Sequence, residues 1–351
     1  MPDREATAPA PDGVVKSDWV LVAFGVWTIL GLFLDGWAHS ARRPDSFFTP
    51  WHGVLYTGGA GVAATTLWQA RRAMAGASWK ELVRYDPVAL IGLLLFGAGG
   101  AGDLIWHEVF GVEVNVAALL SPTHLVLMTG GVLALSAPFR RAWRRTEARP
   151  TMPSFLPALV SLSLATGVAF FFTFYASPFG HTIVPAFRDV TTDIHDLSRA
   201  SAAGFAQVRQ MWALTGILFT TFLVVVPVLA LIRRWRPPEG SFVILFGFVA
   251  LFAAAASEFS RWPAPIAVLI AGVVGEALLR LTTDARIIAA AVPATLWASY
   301  FALIAATYGM GWSPELWAGA IVLTSAIGGV LGFVSSRPSA MIRARVADIS
   351  V

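Results

Sequence analysis

The chain has 351 residues, of which 56% are hydrophobic and 13% charged, and its mean hydropathy is +0.68. A soluble domain carries about twice that charged share, so composition excludes a soluble globular protein. The formal net charge of +4 arises in loops, as topogenic basic residues do, and does not point to nucleic acid as a partner; the lack of cysteine excludes disulfides and thiolate metal sites.

Residues 1–17 are polar, rich in Ala, Pro and acidic residues, and lack the basic start and short apolar core of a cleavable signal. They read as a disordered cytoplasmic end. Apolar runs long enough to cross the bilayer follow at 19–39, 50–70, 88–108, 121–139, 154–176, 208–232, 241–258, 263–281, 286–307 and 314–334. The expected fold is all-α, a polytopic transmembrane helical bundle of about ten spans. Residues 18–139 form a repeat of two helical hairpins. Residues 140–336 form a six-helix region with an outer loop at 177–207, and 337–351 a cytoplasmic tail. With the N-terminus inside, 19 of 25 basic residues fall on the cytoplasmic side; the positive-inside rule therefore places both termini in the cytoplasm of a cell-membrane protein.

The first two hairpins share a pattern. "LDGWAHS…FTPWHGVLYTGG" aligns with "GDLIWHE…LSPTHLVLMTGG", matching Asp35 with Asp103, His39 with His107, Pro50 with Pro122, and His52 with His124. Both copies start on an odd-numbered span and so run the same way through the membrane, a parallel repeat. Ser or Thr before Pro is helix-start chemistry: the hydroxyl caps free N–H groups, and Pro suits the first helical position. The Gly-Gly pairs after each histidine allow close helix approach.

Asp35 and His39 are four residues apart, as are Asp103 and His107, which stacks each pair on one helix face. A hairpin brings the start of the next helix, with His52 or His124, beside that end. Each repeat thus presents one carboxylate and two imidazoles near the outer face. That set suits copper, iron or zinc and suits magnesium or calcium poorly. Ionisable residues inside a span are costly unless paired, solvated or ligated. The bland alternative is a hydrogen-bonded His/Asp cluster that holds helix ends together without metal.

"DGWAHSARRPDSFFTPWH" resembles the copper-binding segment of the C subunit of the particulate methane and ammonia monooxygenases. The likeness rests on Asp35, Gly36, His39, Asp45, Phe47 or Phe48, Thr49, Pro50 and His52, and extends over residues 30–135. It implies that Asp35, His39 and His52 are copper ligands. It implies a second site at Asp103, His107 and His124, where the family has Asn and two His. Here the first ligand is Asp and the two histidines lie 17 apart. It also implies further membrane subunits, one with cupredoxin-like domains that this chain does not contain; a homo-oligomer is the other assembly compatible with the chain. The functions compatible with these residues are copper-dependent oxidation of a small apolar substrate, copper uptake or handling, zinc-dependent hydrolysis of a membrane substrate, and a partner subunit inactive alone.

Other polar residues read as structural. Glu108 and Glu113 are expected to be solvated loop charges, and His181, Asp189, Asp193, His195 and Asp196 to lie in a solvated outer loop with a short surface helix over "FRDVTTDIHDLSRASAAG". Glu258 and Arg261 are expected to pair, and Glu276 to snorkel or meet Arg280. Trp37, Trp51 and Trp106 are ordinary interfacial tryptophans.

Overall fold

A computed structural model describes residues 12–41, 43, 48–73, 85–111, 116–180, 184 and 197–336. Asp45, Glu113, His181, Asp189, Asp193, His195, Asp196 and the tail from 337 lie outside these residues. The described residues are helical, with no strand. In chain order the helices are α1 (Asp12–Ser40), α2 (Pro50–Ala73), α3 (Pro87–Phe110), α4 (Val116–Leu120), α5 (Pro122–Leu135), α6 (Ala137–Arg144), α7 (Met152–Thr173), α8 (Leu197–Arg234), α9 (Ser241–Ala256), α10 (Pro263–Leu281), α11 (Ala285–Thr307) and α12 (Pro314–Ser336). Helix α1 begins at Asp12, so residues 12–17 are helical rather than disordered. Helix α8 begins at Leu197, so the end of the expected surface helix and of the outer loop forms the first turns of a 38-residue helix.

Among the described helices, seven are long and apolar enough to cross a membrane. An eighth crossing results if α5 and α6 count as one span, bent by 40°. This is fewer than the ten expected. Helix α2 is less apolar than those seven, opening on Pro50, Trp51 and His52 and carrying several glycines and the buried Thr65, Thr66 and Gln69, and α9 misses because it has only 16 residues. The bend follows from Ser136 and Pro138. Proline cannot continue the hydrogen-bond ladder, and the Arg140 guanidinium donates to the carbonyl of Leu133 at 2.6 Å.

The hairpins α1–α2 and α3–α5 are the tightest pairs beside α11–α12, and α7 packs against both α1 and α5. The two hairpins repeat in detail, at an offset of 68 residues on their first helices and 72 on their second. Gly31 packs on the backbone of Leu55, and its counterpart Gly99 on the backbone of Leu127. Gly58 packs on Thr28, and its counterpart Gly130 on Phe96, the counterpart of Thr28. Side chains on α1 and α2, or α3 and α5, could not approach this closely with a Cβ at those glycines.

The repeat reaches the opposite end of the hairpins. Asp18 and Asp86 lie 17 residues before Asp35 and Asp103 and are buried. Arg141 Nε donates to Asp18 at 3.0 Å and its Nη1 lies 3.6 Å from Asp86. Arg145 reaches Asp18 and Arg140 reaches Asp86, each at 3.3 Å. Asp86 also caps α3 by accepting from Ala89 N. One arginine thus bridges a carboxylate from each repeat.

Two expected pairs are corrected. Glu276 is buried and accepts from the backbone N–H groups of Gly240 (2.8 Å) and Phe242 (2.9 Å), capping α9; Arg280 meets Glu239 instead. Free N–H groups at a helix start favour a carboxylate over solvent. Glu258 accepts from Ser40 Oγ at 2.8 Å rather than pairing with Arg261. Glu258 and Phe259 have φ of 52° and 56°, a left-handed turn costly for non-glycine residues, and it aims the carboxylate at the end of α1.

Arg141→Ala would leave two buried carboxylates without their shared cation. A loss of about 3–5 kcal/mol is expected, read as a lowered thermal midpoint in detergent. Arg286→Ala, removing an exposed pair with Asp284, is expected to leave the thermal midpoint essentially unchanged.

Candidate metal centre

The end of α1 and the start of α2 form the first group. Asp35 and His39 stack one turn apart on α1. His52 is the third residue of α2, after the cap Thr49, Pro50 and Trp51. The Nε2 atoms of His52 and His39 lie 3.1 and 3.7 Å from the same oxygen, Asp35 Oδ1. The second group repeats the plan on α3 and α5: Nε2 of His107 lies 3.4 Å from Asp103 Oδ2, and Nε2 of His124 lies 3.3 Å from Oδ1. In each group the three donor atoms fall within 4.8 Å of one another. All six residues singled out from the sequence are therefore brought together, three and three. Asp35, His52 and Asp103 are buried, at 8%, 5% and 1% exposure.

The cap residues do a second job. Thr49 Oγ1 lies 3.0 Å from His52 Nδ1, and Ser121 Oγ lies 2.9 Å from His124 Nδ1. A histidine at the third helical position reaches back to the capping hydroxyl, a variant of the capping box. The hydroxyl can accept from Nδ1–H, which leaves Nε2 with its lone pair directed at the carboxylate and toward any cation bound there. The "T/S-P-x-H" spacing contained this signal, although it reads as helix-start chemistry alone.

Other contacts were not legible. Phe171 and Phe172 of α7 cover the two groups in turn. The Phe171 ring packs on Gly36 and on Phe33, at 5.2 Å between centroids, and the Phe172 ring stands 6.5 Å from His124. Tyr56, one turn after His52, puts its ring against Gly100 and Phe96 of α3 and fills the seam between the hairpins. Glu108 is exposed, as a solvated charge would be. Trp37 is exposed and Trp106 stacks on Phe110 at 4.5 Å.

The donor set fits a transition metal. Neutral imidazole and carboxylate are ligands for copper, iron or zinc, and among the described residues the buried Asp35 Oδ1 has no hydrogen-bond partner. An acceptor so placed is costly unless a cation or proton meets it. The same end of α7 borders an apolar hollow of about 340 Å³ lined by Tyr175, Ala176, Val208, Met211, Trp212 and Thr215.

Comparisons with protein-family models, with curated proteins and with solved structures find no match for this chain.

If the capping hydroxyls orient the ligand imidazoles, Thr49→Val and Ser121→Ala are each expected to weaken metal binding at their own group by about 10–100-fold. Thr129→Val, which removes only a hydroxyl bonded to its own helix at Leu125 O, is expected to leave it unchanged. Competitive metal titration of the purified protein reads the difference.

Proposed function

We propose that this chain is an integral membrane copper protein that takes part in oxidation of a small apolar substrate, as in the copper membrane monooxygenase family that residues 30–135 resemble. The observation that carries the reading is the convergence of Asp35, His39 and His52, and of Asp103, His107 and His124, into two groups with donor atoms within 4.8 Å. Copper, when bound, supplies one-electron chemistry with dioxygen. The chain's own residues hold and orient it. Carboxylate and imidazole Nε2 atoms ligate, Thr49 and Ser121 fix the rings, and Phe171 and Phe172 keep water from the protein side.

The reading includes ten crossings with both termini cytoplasmic, which puts both groups at the outer face. Helix α2 turns its polar residues inward, and α9 spans about 24 Å at 1.5 Å per residue, short of the hydrocarbon thickness by roughly one turn. The resemblance supports action together with partner subunits. Copper uptake is the second reading, favoured by both groups lying at the same end of their hairpins. Zinc-dependent hydrolysis differs from both in proceeding without oxygen.

Metal analysis of protein purified from membranes is expected to find copper in the wild type and less in His52→Ala and His124→Ala. Absence of copper, iron and zinc from the wild type would overturn the proposal. Substrate-dependent oxygen uptake supports oxidation, and turnover that persists without oxygen supports hydrolysis instead.

A further inference from the structure

We infer that the two Asp/His/His groups are not two copies of one metal site: the Asp35 group is a tight site, and the Asp103 group, whose carboxylate already accepts a hydrogen bond from Thr123, takes up metal weakly. The inference rests on the metal-binding reading above and concerns how the two groups divide that role.

Convergence is the first difference. In the Asp35 group both imidazoles approach one oxygen, Oδ1, at 3.1 and 3.7 Å. Two imidazole nitrogens that share one carboxylate oxygen suit one cation. In the Asp103 group the carboxylate stands between the rings, with His124 nearest Oδ1 and His107 nearest Oδ2. The nitrogens there face different oxygens.

Satisfaction is the second difference. Thr123 Oγ1 donates to Asp103 Oδ1 at 3.0 Å. Thr123 Oγ1 also lies 3.1 Å from Ser121 Oγ, which lies 2.9 Å from His124 Nδ1. His124 Nε2 lies 3.3 Å from the same Asp103 oxygen. Donors and acceptors alternate along this chain, with Nδ1–H of His124 donating to Ser121, Ser121 O–H to Thr123 and Thr123 O–H to Asp103, so that one carboxylate oxygen already accepts a hydrogen bond. At the position of Thr123 the first hairpin has Trp51, whose indole has no hydroxyl to end such a chain on the carboxylate. Asp35 Oδ1 and Trp51 Nε1 are both buried without a hydrogen-bond partner among the described residues.

A cation entering the Asp103 group competes with the Thr123 hydrogen bond for Oδ1. A hydrogen bond to a charged group is strong enough that this competition weakens binding by about 10–100-fold. Among the described residues no such bond meets Asp35 Oδ1.

Copper(II) titration of the full chain in detergent, with bound metal measured by equilibrium dialysis, tests the division. The wild type is expected to show two classes of sites separated by about tenfold or more. Asp35→Asn is expected to abolish the tight class and Asp103→Asn to spare it; His52→Gln replaces Asp35→Asn if that variant does not fold. Thr123→Val, nearly isosteric, is expected to tighten the weak class by about tenfold. Equal classes in the wild type, loss of the tight class in Asp103→Asn, or no effect of Thr123→Val would overturn the inference while leaving the metal reading intact. No copper bound by the wild type would overturn the metal reading, and the inference with it.

Discussion

Both candidate groups depend on a backbone contact one turn below them. Gly31 lies four residues before Asp35 and touches Leu55, three residues after His52; Gly99 stands in the same relation to Asp103, and Leu127 to His124. Only where a helix lacks a Cβ can the paired backbone come this near. That contact sets how far the last turn of one helix lies from the first turn of the next. A carboxylate at the end of α1 or α3 therefore meets an imidazole from the third position of the partner helix rather than lipid or water. A bulkier residue at either glycine would move the ligand positions apart before it altered any ligand.

The two ends of the hairpins resolve the same electrostatic problem differently. Asp18 and Asp86 are matched by guanidinium groups, with Arg141 shared between them. Arginine is a permanent donor with no lone pair to offer, so that end is a clamp between repeats and cannot ligate a cation. Asp35 and Asp103 are matched by histidine, which is neutral near physiological pH unless perturbed and then carries a lone pair on one nitrogen. An acidic residue flanked by imidazoles at one end, and by arginines at the other, leaves donors able to ligate a metal at only one end of this pair of hairpins.

Much of this was legible in the sequence because it rests on periodicity. The i, i+4 spacing of Asp35 and His39 and the repeat of His52 by His124 place the six residues without any tertiary information. The remainder depends on contacts between segments far apart in the chain. Phe171 and Phe172 cover the groups from a helix more than 100 residues beyond Asp35. Glu276 reads as a charge near a span end, and its role as a cap appears only when α9 starts beside it. Glu258 lies three residues from Arg261, yet the left-handed turn at Glu258 and Phe259 directs it to Ser40. Among the described helices fewer than ten are long and apolar enough to cross by themselves, for a related reason: in α2 it is burial by neighbours, not apolarity, that accommodates Thr65, Thr66 and Gln69.

The two hairpins differ most where volume alone does not restore equivalence. At one packing position Phe24 of α1 faces Gly61 of α2, while the matched position has Gly92 of α3 facing Leu133 of α5. Large and small residues have changed sides, so each pair still matches one large side chain with a glycine, as close-packed interiors favour. At the candidate groups no such exchange restores the balance. Trp51 stands where the second hairpin has Thr123, and a hydroxyl that satisfies one carboxylate has no replacement beside the other. Dispersion is non-directional, so a packing pair can trade places. A hydrogen bond requires its donor at one atom, so the same freedom of substitution leaves one carboxylate closed and the other open to a cation.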